Sequence, residues 1–264
     1  MFSVMQKIEL KHREHSTKIG DKALRIEPNI TEDCVFYEGG EAIGFFLRRM
    51  PEKAVKLAEI ADNEFRSDKV PKSRMNRGTE KQAKSRGQEW VSQFSTILGS
   101  VAPKPHMKRP YPTRSSVHQV KSAQTFIKAM LLLARESEKL MQEILPEQHQ
   151  RQKQLFQAVP DQWKFGSLFT SSISNYNISA PYHRDTGNIK GAVNVIITKR
   201  RNSRGGNLHV PDYDATIDQC DNSILVYPAW RNVHGVTPIE PTFEDGYRNS
   251  LIFYPLKAFA NKTE

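Results

Sequence analysis

Hydrophobic positions change their rhythm near residue 160. Upstream, apolar residues recur at helical spacing in two long stretches. Ala54, Val55, Leu57, Ala58 and Ile60 follow Pro51, a residue suited to a first helical turn, and predict a helix over 51–66. Val120, Ala123, Phe126, Ile127, Met130, Leu133, Leu140, Met141 and Ile144 keep the 3.6-residue period over 119–145, with Glu136, Glu138 and Glu143 elsewhere on the surface. That stripe predicts a long amphipathic helix packed on a flat partner. Trp90, Val91, Phe94, Ile97 and Leu98 predict a shorter helix ending at Gly99. Residues 1–50 show no clear period. Residues 67–87 read as a polar, basic loop, and the four prolines between Pro103 and Thr113 as an extended connection.

Downstream of Pro160 the texture is that of β-structure. Ser167–Ile173, Ala192–Thr198, Asn207–Val210, Ile224–Tyr227 and Ser250–Tyr254 are short segments rich in β-branched and aromatic residues, separated by Gly, Asn, Asp and Pro turns. The pattern predicts an α+β fold: a double-stranded β-helix, or jelly roll, over 161–264, buttressed by a mainly helical region with basic loops over 1–160. The two parts are expected to form one integrated domain.

Composition narrows the class. With 38% hydrophobic and 26% charged residues, a folded core is expected and wholesale disorder is excluded. Cys34 and Cys220 lie far apart without C-x-x-C spacing, which argues against a disulfide framework or a zinc finger and for a reducing compartment. The first fifteen residues lack the apolar core of a secretory signal. The run Ala129–Ala134 is too short to span a bilayer, so a soluble, intracellular protein without a membrane partner is expected.

The net charge of +10 is unevenly spread. Twelve Lys and Arg between Arg66 and Arg114 face only Asp68, Glu80 and Glu89, leaving +9 in that segment. Such density suits a polyanion such as nucleic acid, through release of its condensed counterions; a solvated basic loop is the alternative.

One constellation carries chemistry. In a strand, residues i and i+2 share a face, so His183 and Asp185 can reach one metal ion. His234 follows 49 residues later, within the return distance of a jelly roll. Two imidazoles and one carboxylate make the facial triad of non-haem iron(II) oxygenases, which leaves positions open for a co-substrate and O2. H-x-D alone is common by chance. Its context is not: Gly205-Gly206 lies between the ligand segments, and Arg248 opens the apolar strand 249–254. A guanidinium there can clamp the distal carboxylate of 2-oxoglutarate with paired hydrogen bonds.

These residues belong to a wider likeness. Phe169-Thr-Ser, Asn175-Tyr-Asn177, His183-Arg-Asp-Thr-Gly-Asn188, Gly205-Gly-Asn-Leu-His-Val-Pro, His234-Gly-Val and Gly246-Tyr-Arg-Asn-Ser-Leu-Ile-Phe-Tyr254 resemble the catalytic core of the TET/JBP family over 168–256. Members of that family oxidise the methyl group of 5-methylcytosine or thymine in DNA. The resemblance implies Fe(II), 2-oxoglutarate and O2, with His183, Asp185 and His234 on the metal and Arg248 on the co-substrate. It also implies that Asn188 contacts a base flipped out of double-stranded DNA. The chain lacks the cysteine-rich zinc-binding region of the animal enzymes, and its compactness is nearer to protist- and phage-type members.

Asn175 and Asn177, on one face of a strand, can reach the 2-oxoglutarate and substrate side, or serve ordinary turn chemistry. Lys199, Arg200, Arg201 and Arg204 form a basic loop suited to phosphate contacts. An amide at Asn188 both donates and accepts, so it does not by itself choose between 5-methylcytosine and thymine. Two other readings stay open. One is the same chemistry on protein, RNA or a small molecule; the other is a catalytically silent DNA-binding module. Oligomeric state is not legible.

Overall fold

The computed structural model describes residues 5–76, 79–85, 90–104 and 109–260. Of the basic segment, Arg77, Arg86 and Lys108 lie outside the described residues. The first half runs β1 (Gln6–Glu9), β2 (Cys34–Glu38), β3 (Glu41–Leu47), α1 (Glu52–Arg66), β4 (Ser73–Arg74), α2 (Glu80–Ser85), β5 (Phe94–Val101) and β6 (Thr113–Arg114). Two helices follow, α3 (Gln124–Ile144) and α4 (Pro146–Leu155). Then come β7 (Ser171–Tyr176), β8 (Ala180–His183), β9 (Asn194–Arg201), β10 (Ser203–Gly205) and β11 (Leu208–Val210). The chain ends with β12 (Ala215–Ile217), β13 (Ile224–Tyr227), β14 (His234–Val236), β15 (Ile239–Pro241) and β16 (Tyr247–Tyr254).

The strands form a large sheet, ordered β1-β2-β3-β13-β9-β16-β7-β5-β4 with β6 beside β5, a small sheet ordered β12-β11-β14-β8, and a separate two-stranded pair, β10-β15. Two-residue alternation decides what each face of the large sheet meets. Phe45, Val195, Ile197, Val226, Leu251 and Phe253 pack against α1 and α3 through Ala58, Phe65, Phe126, Met130 and Leu133. Phe46, Ile196 and Leu225 face the other way and pack against Leu208, Val210, Ala215 and Ile217 of the small sheet. Central strands therefore read as unbroken apolar runs, because both faces are covered. The architecture is the α+β jelly roll expected, with the amphipathic helices on the outer face of the large sheet. Among the described residues no helix is long and apolar enough to cross a membrane.

Two segments differ from expectation. The helix expected over 90–99 is largely β5: Phe94–Gly99 pairs antiparallel with Tyr176–Ser171. Phe94, Ile97 and Leu98 fit a helical face, but Ser95-Thr-Ile suits a strand, and the open edge of β7 supplies its backbone partners. The unassigned first fifty residues contribute β1, β2 and β3, which extend the same sheet beyond β13. Between β1 and β2 the chain lies along the small sheet. Gly20 N donates to Tyr182 O at 2.8 Å and Tyr182 N to Asp21 O at 2.9 Å. Ala23 packs there on Tyr182 and Val233.

Strand β16 is held from behind by a buried carboxylate. Asp62 of α1 accepts hydrogen bonds from Tyr247 Oη at 2.7 Å, Asn249 Nδ2 at 2.9 Å and Arg66 Nε at 3.0 Å. Tyr247 and Asn249 point to the helices, so Arg248 between them points to the opposite side. Replacing Asp62 by Ala leaves buried donors without acceptors and is expected to cost about 3 kcal/mol in urea unfolding. A loss below about 1 kcal/mol would mean that these bonds do not secure the helix to the strand.

Candidate active site

Register brings the histidines together. In the β14–β8 pair, His234 stands directly opposite His183, and the ring centroids are 4.4 Å apart. Each ring is turned by a backbone carbonyl near its own residue: His183 Nδ1 lies 2.7 Å from Pro181 O, and His234 Nδ1 lies 3.1 Å from Asn232 O. A carbonyl only accepts, so both Nδ1 atoms carry hydrogen and both Nε2 atoms are turned toward the position of a metal, that of His183 also facing the Asp185 carboxylate. Strand β8 stops at His183, so Asp185 belongs to the following loop rather than to the strand. Its N–H is anchored on Ala229 O at 3.1 Å, which brings Oδ1 to 3.5 Å from His183 Nε2. One donor atom from each of the three residues lies within 4.8 Å of the others.

The two imidazoles shift in opposite directions. Burial, reinforced by the charge of His183, pushes the pKa of His234 down, whereas the hydrogen bond to Asp185 pushes that of His183 up. Burial works against ionising Asp185, but the His183 hydrogen bond and both imidazoles outweigh it and hold the carboxyl below its usual value. A divalent cation requires neutral imidazoles and an ionised carboxylate, so its binding displaces the proton that His183 shares with Asp185. Two amides restrain the carboxylate: Asn194 Nδ2 donates to Asp185 Oδ2 at 2.9 Å, and Asn188 Nδ2 donates to Asn194 Oδ1 at 2.8 Å. Asn188 Nδ2 also approaches Asp185 Oδ2 at 3.4 Å. The second carboxylate oxygen is thereby occupied and Oδ1 is left toward the histidines.

The triad borders a cavity of about 430 Å³ between the two sheets, with Arg248 further along its wall. Arg248 is only 2% exposed, and burial together with the nearby charge of Arg200 pushes its pKa down to about 9. Its Nη2 donates to Gln219 Oε1, while Nε is buried without a partner. Among the described residues no carboxylate pairs with this guanidinium, a costly arrangement for a buried cation. The side chain fits between the sheets because Gly206 faces it: a Cβ there would run into Cδ of Arg248. An anion with a carboxylate end fits this orphaned donor, and a chelating end fits the open face of the triad.

Other residues singled out from sequence fall in different places. Asn175 lines the cavity. Asn177 instead sits just past β7 with φ of +55° and secures the backbone of β16, its Oδ1 accepting from Arg248 N at 2.9 Å and its own N–H reaching Arg248 O at 2.7 Å. Lys199 is buried on Asp221 and Asn222. Arg200 donates to the carbonyls of Ser203, Gly205 and Gln219, and Arg201 pairs with Asp245. Arg204 is exposed, away from the cavity. Within the 66–114 segment, Arg66, Lys69 and Lys72 are bonded to α1 or to the turn after it, and Arg114 to the carbonyls of Gln162 and Lys164. Asn194, Gln219 and Tyr227 line the cavity without having been singled out. Asn194 could have been found: it sits at the start of an apolar strand where a polar residue needs a reason.

Comparison with known proteins agrees with this geometry. The family model Tet_JBP, described as the oxygenase domain of the 2OGFeDO superfamily, matches residues 90–257, more than half of the chain. Among solved structures, "NgTET1 in complex with 5mC DNA" superposes with a TM-score of 0.59 at 13% identity, covering 91% of this chain and 83% of that one. An oxidoreductase of the 2OG-Fe(II) oxygenase family from Burkholderia pseudomallei superposes with a TM-score of 0.50 at 16% identity, covering 83% and 88%. At these identities the two likenesses bear on the fold alone. No curated protein matches the chain in sequence. The chain belongs to the Tet_JBP family of the 2OGFeDO superfamily, and is a dioxygenase that uses Fe(II), 2-oxoglutarate and O2.

Proposed function

We propose that the chain hydroxylates the C5-methyl group of a pyrimidine flipped out of double-stranded DNA, converting 5-methylcytosine to 5-hydroxymethylcytosine. His183, Asp185 and His234 hold Fe(II), and Arg248, with Asn175 nearby, receives 2-oxoglutarate. Bound there, the metal and co-substrate supply the activation of O2 needed to hydroxylate an unactivated methyl group, with succinate and CO2 released. The protein's own share is to fix the ligand atoms, neutralise the co-substrate's far carboxylate and enclose the target away from water.

The observation that carries the reading is the Tet_JBP match together with a cavity that joins the triad to the orphaned guanidinium. Support for DNA comes from the neighbour solved with 5mC DNA. A C5-methyl group inside a duplex cannot reach a recessed metal, so the nucleotide must leave the stack. Cations for the phosphates stand at the rim. Arg184 lines the cavity mouth, and exposed Lys190 and Lys257 lie on segments joined by Ile189 N to Pro255 O and Lys257 N to Gly187 O. Lys199 and Arg200, engaged internally, leave phosphate contact to this rim and to the exposed Arg201 and Arg204.

Asn188 favours cytosine. The ionised Asp185 can only accept, so it orients the amides of Asn194 and Asn188 with their Nδ2 groups inward. Asn188 therefore offers its Oδ1, an acceptor, to the cavity. Such an acceptor matches the exocyclic amino group of 5-methylcytosine and opposes the O4 of thymine.

Two outcomes test the proposal. Incubation of methylated DNA with enzyme, Fe(II), 2-oxoglutarate and ascorbate is expected to yield 5-hydroxymethylcytosine by nucleoside mass spectrometry, without 5-hydroxymethyluracil. Succinate release with RNA or peptide alone would reject DNA as substrate. His183→Ala and Asp185→Ala are expected to lower turnover by at least about a thousandfold while the thermal midpoint stays within a few degrees. Appreciable 2-oxoglutarate-dependent product from either variant would remove the ligand assignment.

A further inference from the structure

We infer that Gln219 is a second ligand for the distal carboxylate of 2-oxoglutarate, acting as a neutral donor beside Arg248. Two buried donors along one cavity lack any acceptor: Arg248 Nε and Gln219 Nε2. Gln219 is 1% exposed, so water at the surface does not satisfy it. Its orientation follows from its neighbour. A guanidinium only donates, so Gln219 Oε1 must face Arg248 Nη2, and Nε2 is left at the other end of the amide. A glutamine serving only to satisfy Arg248 gains nothing from burying that second donor, which is costly when unpaired. A carboxylate entering beside Arg248, met by a small turn of the two side chains toward the cavity, brings acceptors for both orphaned groups.

The loop that presents Gln219 is built for position rather than movement. Gln219 N donates to Asn207 Oδ1 at 3.2 Å, and Gln219 O accepts from Arg200 Nη1 at 3.2 Å. Arg200 also holds Gly205 O at 3.1 Å, at the turn whose next residue, Gly206, admits the Arg248 stem. One internal cation thus ties together the loop of Gln219 and the glycine turn against Arg248. Its like charge beside Arg248 also deepens the need for an anion there. Two cationic groups and an amide donor suit a carboxylate better than a neutral ligand.

This inference rests on Arg248 as the receptor of the distal carboxylate, and the test separates the two. Calorimetric titration of the Mn(II)-loaded protein under argon compares 2-oxoglutarate with 2-oxobutyrate, which has the same keto acid but no distal carboxylate. The wild-type protein is expected to bind 2-oxoglutarate at least about a hundredfold more tightly. Gln219→Leu and Gln219→Glu are expected to weaken 2-oxoglutarate about ten- to a hundredfold and leave 2-oxobutyrate unchanged. Gln219→Glu keeps the shape and the acceptor for Arg248 but replaces the donor by a negative charge that pairs with the guanidinium, so the neutral Gln219→Leu carries the assignment of the donor, and a loss in Gln219→Glu alone would overturn it. Wild-type affinity in Gln219→Glu, or equal losses for both ligands, would overturn the role of Gln219 while leaving that of Arg248 intact. Absence of discrimination by the wild-type protein would overturn both.

Discussion

A guanidinium sealed between two sheets, with no carboxylate partner among the described residues, sets the terms for the rest of the molecule. Leaving such a charge buried costs on the order of several kcal/mol, so the fold must hold Arg248 there by other means. It does so along β16. Tyr247 and Asn249 are bonded to Asp62 behind the sheet, Asn177 pins the backbone of Arg248 from β7, and Gly206 clears room for the side chain. Period-two alternation turns those anchors on one face into a fixed projection on the other. An anion bound beside Arg248 supplies the counter-charge, and its binding free energy adds to the stability of the fold.

At the metal end the logic is one of directed lone pairs. Two backbone carbonyls determine which nitrogen of each imidazole is free, and one ionised carboxylate determines the direction of two successive amides. Asp185 thus reaches beyond its own metal contact: its charge is transmitted through Asn194 to the face that Asn188 shows to the cavity. Under the proposed function, the metal-ligand role of Asp185 and the base contact of Asn188 share one hydrogen-bond chain, which would couple substrate preference to metal geometry.

The cations illustrate how little a formal charge says before folding. Arg200, Lys199 and Arg201 look from sequence like a patch for a polyanion, yet each meets a protein partner: carbonyls for the first, an acid-and-amide pair for the second, Asp245 for the third. Arg200 in particular is a cross-brace, using its forked donors on three carbonyls of surrounding loops. Exposed Arg184 lines the cavity instead, and exposed Lys190 and Lys257 stand on segments flanking its lining residues, where no charge run marks them.

What could be read without coordinates was whatever depends on local period or on residue type with little alternative. The two helices 51–66 and 119–145, the β-texture after Pro160, the His183, Asp185 and His234 set and Arg248 all belong to that class, because amphipathic faces and strong ligand chemistry leave few other uses. What only tertiary structure decided was anything set by a partner distant in the chain. Phe94–Val101 became a strand because β7 offered an edge, although its apolar spacing also suits a helix. Asn177 became a clamp and Arg200 a brace because their hydrogen-bond partners are assembled by folding. Gln219 was invisible for the same reason: an amide acquires direction, and with it a role, only when a charged neighbour dictates which of its ends must donate.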